Sequence, residues 1–201
     1  MEQKGQERSR ERQRRILDAA LAVFSRRGYR DTSVEEVAEA AQTSKGGLYF
    51  HFPGKQVLFR ALLDVSARRL RDRVEEAIAK EVTPVARADA ALLTVLRTFA
   101  DHRTMARLFM IEALGAGPEF SDRLLEVHDE FIGVIKGHLD DAVTAGAVPP
   151  VDTELASRAW FGAVNEIILH WLITGEPKRL EDAYDGLRPM LMRSVGLSTD
   201  A

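Results

Sequence analysis

Thr32-Ser33-Val34-Glu35-Glu36-Val37-Ala38, a break near Gln42, then Ser44-Lys45-Gly46-Gly47-Leu48-Tyr49-Phe50-His51-Phe52-Pro53-Gly54-Lys55: the fold turns on how this stretch is read. Each half opens on a hydroxyl residue, whose oxygen can accept from the free amides of a helix start. Thr32 with Glu35, or Ser33 with Glu36, has the spacing of a capping box. The first half offers Val34, Val37, Ala38 and Ala41 to a core. The second carries Leu48 and Phe52 and must end there, because Pro53 disfavours helical geometry in the residue before it. Two short helices joined by a tight turn and braced by a third are the least structure that can hold a helix end in a major groove.

Working outward, apolar residues recur at helical spacing in almost every segment, and alternation of period two never persists. A first helix runs from about Glu7 to Arg27, with Gly28 placed for a left-handed C-terminal cap. A fourth, starting near Gly54-Lys55 and carrying Leu58, Leu62, Val65, Val74 and Ile78, is long enough to leave one domain and enter another. Thr83-Pro84 opens a fifth; Met105, Leu108 and Ile111 mark a sixth, broken at Gly115-Ala116-Gly117-Pro118. The seventh closes at Gly146 and Pro149-Pro150, Asp152 caps an eighth that is apolar nearly all round to about Thr174, and a ninth spans about Arg179 to Val195. The expectation is an all-α protein of nine helices. It has a three-helix helix-turn-helix domain over residues 1–54, with a basic N-terminal arm, and a helical ligand-binding and dimerisation domain over residues 55–201.

The formal charge of −3 hides an asymmetry. Residues 1–55 carry eleven Lys and Arg against eight Asp and Glu, and the remainder seventeen against twenty-three, so only the N-terminal part suits a phosphate backbone. With no cysteine, disulfides, thiolate metal sites and a nucleophilic thiol are excluded. No apolar run approaches a membrane span, and the basic N-terminus is amphipathic, unlike a signal peptide. The five histidines lack ligand-like spacing, and no nucleophile or acid–base pair stands in register. A soluble cytoplasmic protein follows, away from membranes, with no enzymatic activity, cofactor or metal expected.

Residues 32–38 and 44–55 resemble the N-terminal domain of the TetR family of transcriptional regulators, closely so over residues 12–60. Leu48-Tyr49-Phe50-His51-Phe52 followed three residues later by Lys55 is far more specific than a generic helix-turn-helix pattern, because aromatic, cap and cation are fixed in register. On composition alone a Lys and a His on a short surface helix are merely solvated, so the register carries the argument. The resemblance implies a nine-helix TetR-like repressor that binds a palindromic operator in double-stranded DNA as a homodimer. Lys45, Gly46 and Gly47 occupy the first turn of the entering helix, with Lys45 the candidate for base edges. By similarity, Tyr49 and His51 reach phosphates or bases. Lys55 suits a phosphate at the start of helix four. Thr32, Ser33, Thr43 and Ser44 offer hydroxyls and amides to the DNA backbone. Leu48, Phe50 and Phe52 are assigned to the core. Two positions depart from the family. Gln42 stands where glycine is usual and must accept a left-handed conformation at some cost or reshape the turn. Gly47 replaces a small hydroxyl or methyl side chain able to read a thymine methyl. Arg8, Arg10, Arg12, Arg14 and Arg15 suit a minor-groove arm or, interleaved with Glu7 and Glu11, a solvated helix start.

Past residue 60 the resemblance weakens. Helices eight and nine carry more apolar surface than one core needs, which suits a two-fold four-helix interface, with Ala159, Ala163, Ile167, Trp171, Tyr184, Leu187 and Leu191 as its candidates. Phe99, Met105, Phe109, Phe131, Trp160 and Phe161 either fill a core or line a cavity. Polar residues within these stripes, Glu112, His128 and Asn165, argue for a ligand site or for an internal hydrogen-bond network. The stretches Leu114-Gly115-Ala116-Gly117-Pro118-Glu119-Phe120, 163–168 and 172–177 look like the fatty-acid-responsive branch of the TetR family, which implies a fatty acid or acyl-CoA as a small apolar effector. The competing expectation is a helical acyl-chain binding protein whose DNA-binding domain is vestigial or nonspecific.

Overall fold

The structure, a computed structural model, describes residues 2–197; among them the chain forms nine helices and no strand. The outer ends of the expected domains, residue 1 and residues 198–201, lie outside the described residues. Helix α1 spans Glu2–Arg27, α2 Val34–Ala40, α3 Lys45–His51, α4 Lys55–Ile78 and α5 Pro84–Asp101. Helix α6 is composite over 103–116: Arg103–Arg107 passes through a π-helical turn, Leu108–Glu112, into Ala113–Ala116. Helix α7 spans Pro118–Thr144, α8 Thr153–Thr174 and α9 Tyr184–Ser194, the last entered through a 3-10 turn at Leu180–Ala183.

The boundaries follow from identifiable caps. Thr83 Oγ1 accepts from the Ala86 amide at 3.1 Å with Pro84 at the first helical position, and Asp152 Oδ1 accepts from the Leu155 amide at 3.0 Å. Helix α8 stops at Gly175, left-handed at φ 79°. Helix α1 begins at Glu2, earlier than Glu7, so Arg8, Arg10, Arg12, Arg14 and Arg15 stand exposed on helical turns and form no extended arm.

The chain divides into two compact units. The first brings together the chain up to Ser66 with Arg107–Leu124. Ile16, Ala20 and Phe24 of α1, Val37 of α2, Leu48 of α3 and Leu58, Phe59 and Leu63 of α4 are all fully withdrawn from water. Burying each such large side chain is worth about 1.5–3 kcal/mol. Around them an aromatic cluster closes: Phe24 meets Phe59 edge-on at 5.0 Å, and Phe120 packs against Phe59 and Tyr29, each at 4.9 Å. Phe120 explains why a segment so distant in sequence belongs with the first three helices.

The second unit comprises Ala67–Ala106 and the chain from Leu125 onward. Leu96, Phe99, Val127, Ile168, Leu180 and Leu191 lie in its interior. Arg188 forks onto both oxygens of Asp89, at 2.8 and 3.1 Å, tying α9 to α5. The Trp160 indole donates to Ser194 Oγ at 2.9 Å, tying α8 to α9. Arg103 lies over the Trp171 ring at 4.3 Å and donates to the Leu172 carbonyl at 3.0 Å, capping the end of α8. On α8, Leu155 and Ile173 remain 65% and 70% exposed in the single chain.

Candidate nucleic-acid interface

The three elements that would face DNA are held by short-range chemistry. Ser33 and Glu36 form the capping box of α2: Ser33 Oγ accepts from the Glu36 amide at 3.2 Å, and Glu36 Oε2 accepts from the Ser33 amide at 2.9 Å. The Ser33 amide holds the Glu36 carboxyl below its ordinary range, helped by the Ser33 hydroxyl and by Arg27, which bridges from α1. After α2 the chain turns through Gln42 at φ 51°, so the left-handed alternative is the one taken. Ser44 caps α3 by accepting from the Gly47 amide at 3.0 Å. A Cβ on Gly47 would stand 2.8 Å from Thr43 Oγ1 and 3.2 Å from Ser44 Oγ. The bare glycine therefore keeps the cap tight, a structural reason for its place that thymine readout did not supply.

On the recognition helix Lys45 projects from the first turn, with Gly46 exposed beside it and Tyr49 one turn on, its ring 5.8 Å from the ammonium. Lys45 pairs with Glu35 of α2. That bond holds the Glu35 carboxyl below its usual range and raises the ammonium above its own. Tyr49 is exposed and His51 half-buried. Lys45, Gly46, Tyr49 and His51 thus share one accessible helix, with Ser33, Thr43 and Ser44 at the flanking helix starts.

Three expectations change. Thr32 is buried and its hydroxyl donates to the Gly28 carbonyl at 2.7 Å, closing the end of α1, so it has no hydroxyl to offer a phosphate. Lys55 is half-buried: its ammonium donates to the carbonyls of Thr32 at 2.8 Å and Arg30 at 3.1 Å and lies 4.5 Å from the centre of the Tyr29 ring. It is a lock on the loop between α1 and α2. Phe50, assigned to the core, is 82% exposed on the recognition helix, its ring edge-on to His51 at 5.2 Å. The helical turn would have revealed this: Leu48 and Phe52, four residues apart, share the buried face, and position 50 falls opposite. Phe50, exposed on α3, and Glu35, paired with Lys45, are the residues of the candidate interface that sequence reasoning missed.

The candidate ligand residues divide between the units. Phe109 and Glu112 belong to the first and the remainder to the second. Phe99, Met105, Phe109 and Trp160 are buried. His128, Phe131, Phe161 and Asn165 are half-buried, and the His128 and Phe161 rings meet at 4.8 Å. Burial pushes the His128 imidazole down, against a smaller upward pull from Asp129. Glu112 is paired internally: its carboxylate lies 3.3 Å from Arg107 Nε and faces Gly28. Of the dimer candidates, Trp171, Leu187 and Leu191 are spent on the protomer's own core, Ala163, Ile167 and Tyr184 are half-exposed, and Ala159 is open.

The profile of bacterial regulatory proteins of the tetR family matches residues 16–62, and that of the tetracyclin repressor-like C-terminal domain matches residues 81–184. The chain belongs to the TetR family. TtgR, a helix-turn-helix transcriptional regulator of Pseudomonas putida, is 31% identical over 86% of this chain and 86% of its own. Among solved structures, the fatty acid degradation regulator FadR from Bacillus halodurans superposes with a TM-score of 0.84 at 20% identity, over 92% of this chain and 98% of that one. FadR from Bacillus subtilis, solved in complex with stearoyl-CoA, gives 0.83 at 21% identity, over 90% and 97%. As a TetR regulator the protein is a DNA-binding transcriptional regulator and not an enzyme. No helix among the described residues is long and apolar enough to cross a membrane.

Proposed function

We propose that this TetR regulator is a cytoplasmic repressor that binds a palindromic operator as a homodimer and releases it when a fatty acid or acyl-CoA occupies the second unit. The observation that carries the DNA half is the capped α2–turn–α3 unit with Lys45, Tyr49 and Phe50 presented on one open helix. An operator read by two such helices places them about 34–36 Å apart. The exposed line of Leu155, Ala159 and Ile173 on α8, with Ala163 and Ile167 half-exposed beside it, supports pairing with a second copy. The half-buried His128, Phe131, Phe161 and Asn165 support an apolar ligand with one polar anchor, and the likeness to a FadR holding stearoyl-CoA supports its class. Ligand binding moves α4 and with it the recognition helices, by as much as its affinities for the two states differ.

Fluorescence anisotropy on the DNA upstream of its own gene, with and without stearoyl-CoA or free stearate, tests this. Specific binding relieved by either ligand is expected. Equal affinity for random DNA, or ligand binding that leaves the DNA complex untouched, would leave only a helical ligand carrier. Sedimentation should show a dimer in the parent and a monomer in Leu155→Arg/Ile173→Asp.

A further inference from the structure

Within the first unit a cleft of about 270 Å3 opens between the end of α1, the loop that follows it and α6. Its walls carry four arginines, Arg26, Arg27, Arg30 and Arg107, against two carboxylates, Asp31 and Glu112. Arg27 is held by Glu36 and Arg107 by Glu112. Arg26 and Arg30 are exposed and make no ion pair with the described residues. Two guanidinium forks therefore stand open on a net cationic cleft, the donor geometry that matches phosphate oxygens in pairs.

Two further features keep the cleft open. Gly28, at φ 85°, contributes no side chain to the wall, and a Cβ there would stand 3.0 Å from Glu112 Oε2. Next to it the π-helical turn ends at Glu112, and such turns concentrate at functional positions. The volume accommodates a mono- or diphosphate and falls short of a drug-sized ligand. No lining residue belongs to α2 or α3.

We propose that this cleft binds the phosphate group of a small molecule, with Arg26 and Arg30 as its principal ligands and Glu112 as a carboxylate that limits the affinity. All residues lining the cleft belong to the first unit, whereas the acyl effector is proposed to occupy the second, so loss of a stearoyl-CoA response would leave pyrophosphate binding here in place. An anion here also competes with Glu36 for Arg27, and so draws on the contact that braces the cap of α2.

Isothermal titration of the full chain with inorganic pyrophosphate, ADP and free CoA, at matched ionic strength, tests the proposal. Saturable binding of pyrophosphate is expected, weakened about tenfold or more in Arg26→Ala/Arg30→Ala. Glu112→Gln should tighten it, and Arg97→Ala, an exposed arginine of α5, should leave it unchanged. Tighter binding of ADP than of pyrophosphate and CoA would support a free nucleotide as the source, and tighter CoA a CoA derivative. Absence of saturable binding, an equal loss in Arg97→Ala, or a double variant that keeps anion binding while losing operator affinity would overturn it. The last result would give the two arginines to the DNA backbone.

Discussion

Gln42 holds a left-handed backbone that costs a residue with a side chain about 1 kcal/mol. Gln42→Gly should raise stability by about that much, a rise of about 2–4 °C in melting temperature, with operator affinity within twofold of the parent. Lys55 calls for the opposite expectation. Because its ammonium is committed to the carbonyls of Arg30 and Thr32, Lys55→Ala should cost about 1–2 kcal/mol of stability. The salt dependence of DNA binding should stay as it was. A phosphate ligand would instead flatten that slope by about one, so melting and salt titration of one variant separate the roles. Phe50→Ala should leave melting unchanged, since the ring is 82% exposed, while operator affinity falls by severalfold to about tenfold, the range for lost apolar contact with base methyls. What was legible at this scale was local: the strain at Gln42 and the hydroxyl caps follow from residue type at a known offset. The engagement of Lys55 was not, because its partners lie more than twenty positions away on a loop whose path no periodicity describes.

Helix termini were legible wherever a cap or breaker had a chemical signature. Ser33, Ser44, Thr83, Asp152 and Gly175 all serve where their side chains, or lack of one, suit the termini. The π-helical turn at Leu108–Glu112 was hidden, since an inserted residue leaves apolar spacing nearly intact. So was the joint between α8 and α9. There the Trp160 indole donates to Ser194 Oγ, which itself donates to the Leu191 carbonyl at 2.6 Å. Ser194→Ala would strand a buried N–H and should cost about 1–3 kcal/mol. Adding Trp160→Phe should recover part of that loss, so the double-mutant cycle is non-additive. Strict additivity in denaturant unfolding would mean that the bond contributes nothing to the joint.

At the scale of the molecule, a boundary after residue 54 was expected, whereas the first compact unit runs on to Ser66 and takes in the segment 107–124, which was not seen to pack with the first helices. That pairing rests on Phe120 meeting Tyr29 and Phe59, contacts between aromatic residues that look alike in any helix stripe. Which apolar residues of α8 and α9 turn inward was equally hidden, because a helix rich in them on all sides carries no phase. Stability of the whole chain should also report on His128. Its folded pKa lies below the ordinary 6.5 because burial disfavours the cation. Below that pH the unfolded chain takes up more protons, so stability is full above about 6.5 and declines as pH falls through the window beneath it. Denaturant midpoints between pH 5 and 8 should show the decline, and His128→Gln should flatten it. Helix α4, whose early turns to Ser66 belong to one unit and later turns to the other, runs 24 residues, about 36 Å of unbroken rod. At that length a pivot of about five degrees at one end sweeps the other through about 3 Å, comparable to the spacing of adjacent base pairs along a duplex. Under the proposed mechanism the effector therefore needs only a small tilt. The bending rigidity of that rod, more than the size of any pocket movement, would set how strongly the ligand is felt at the operator.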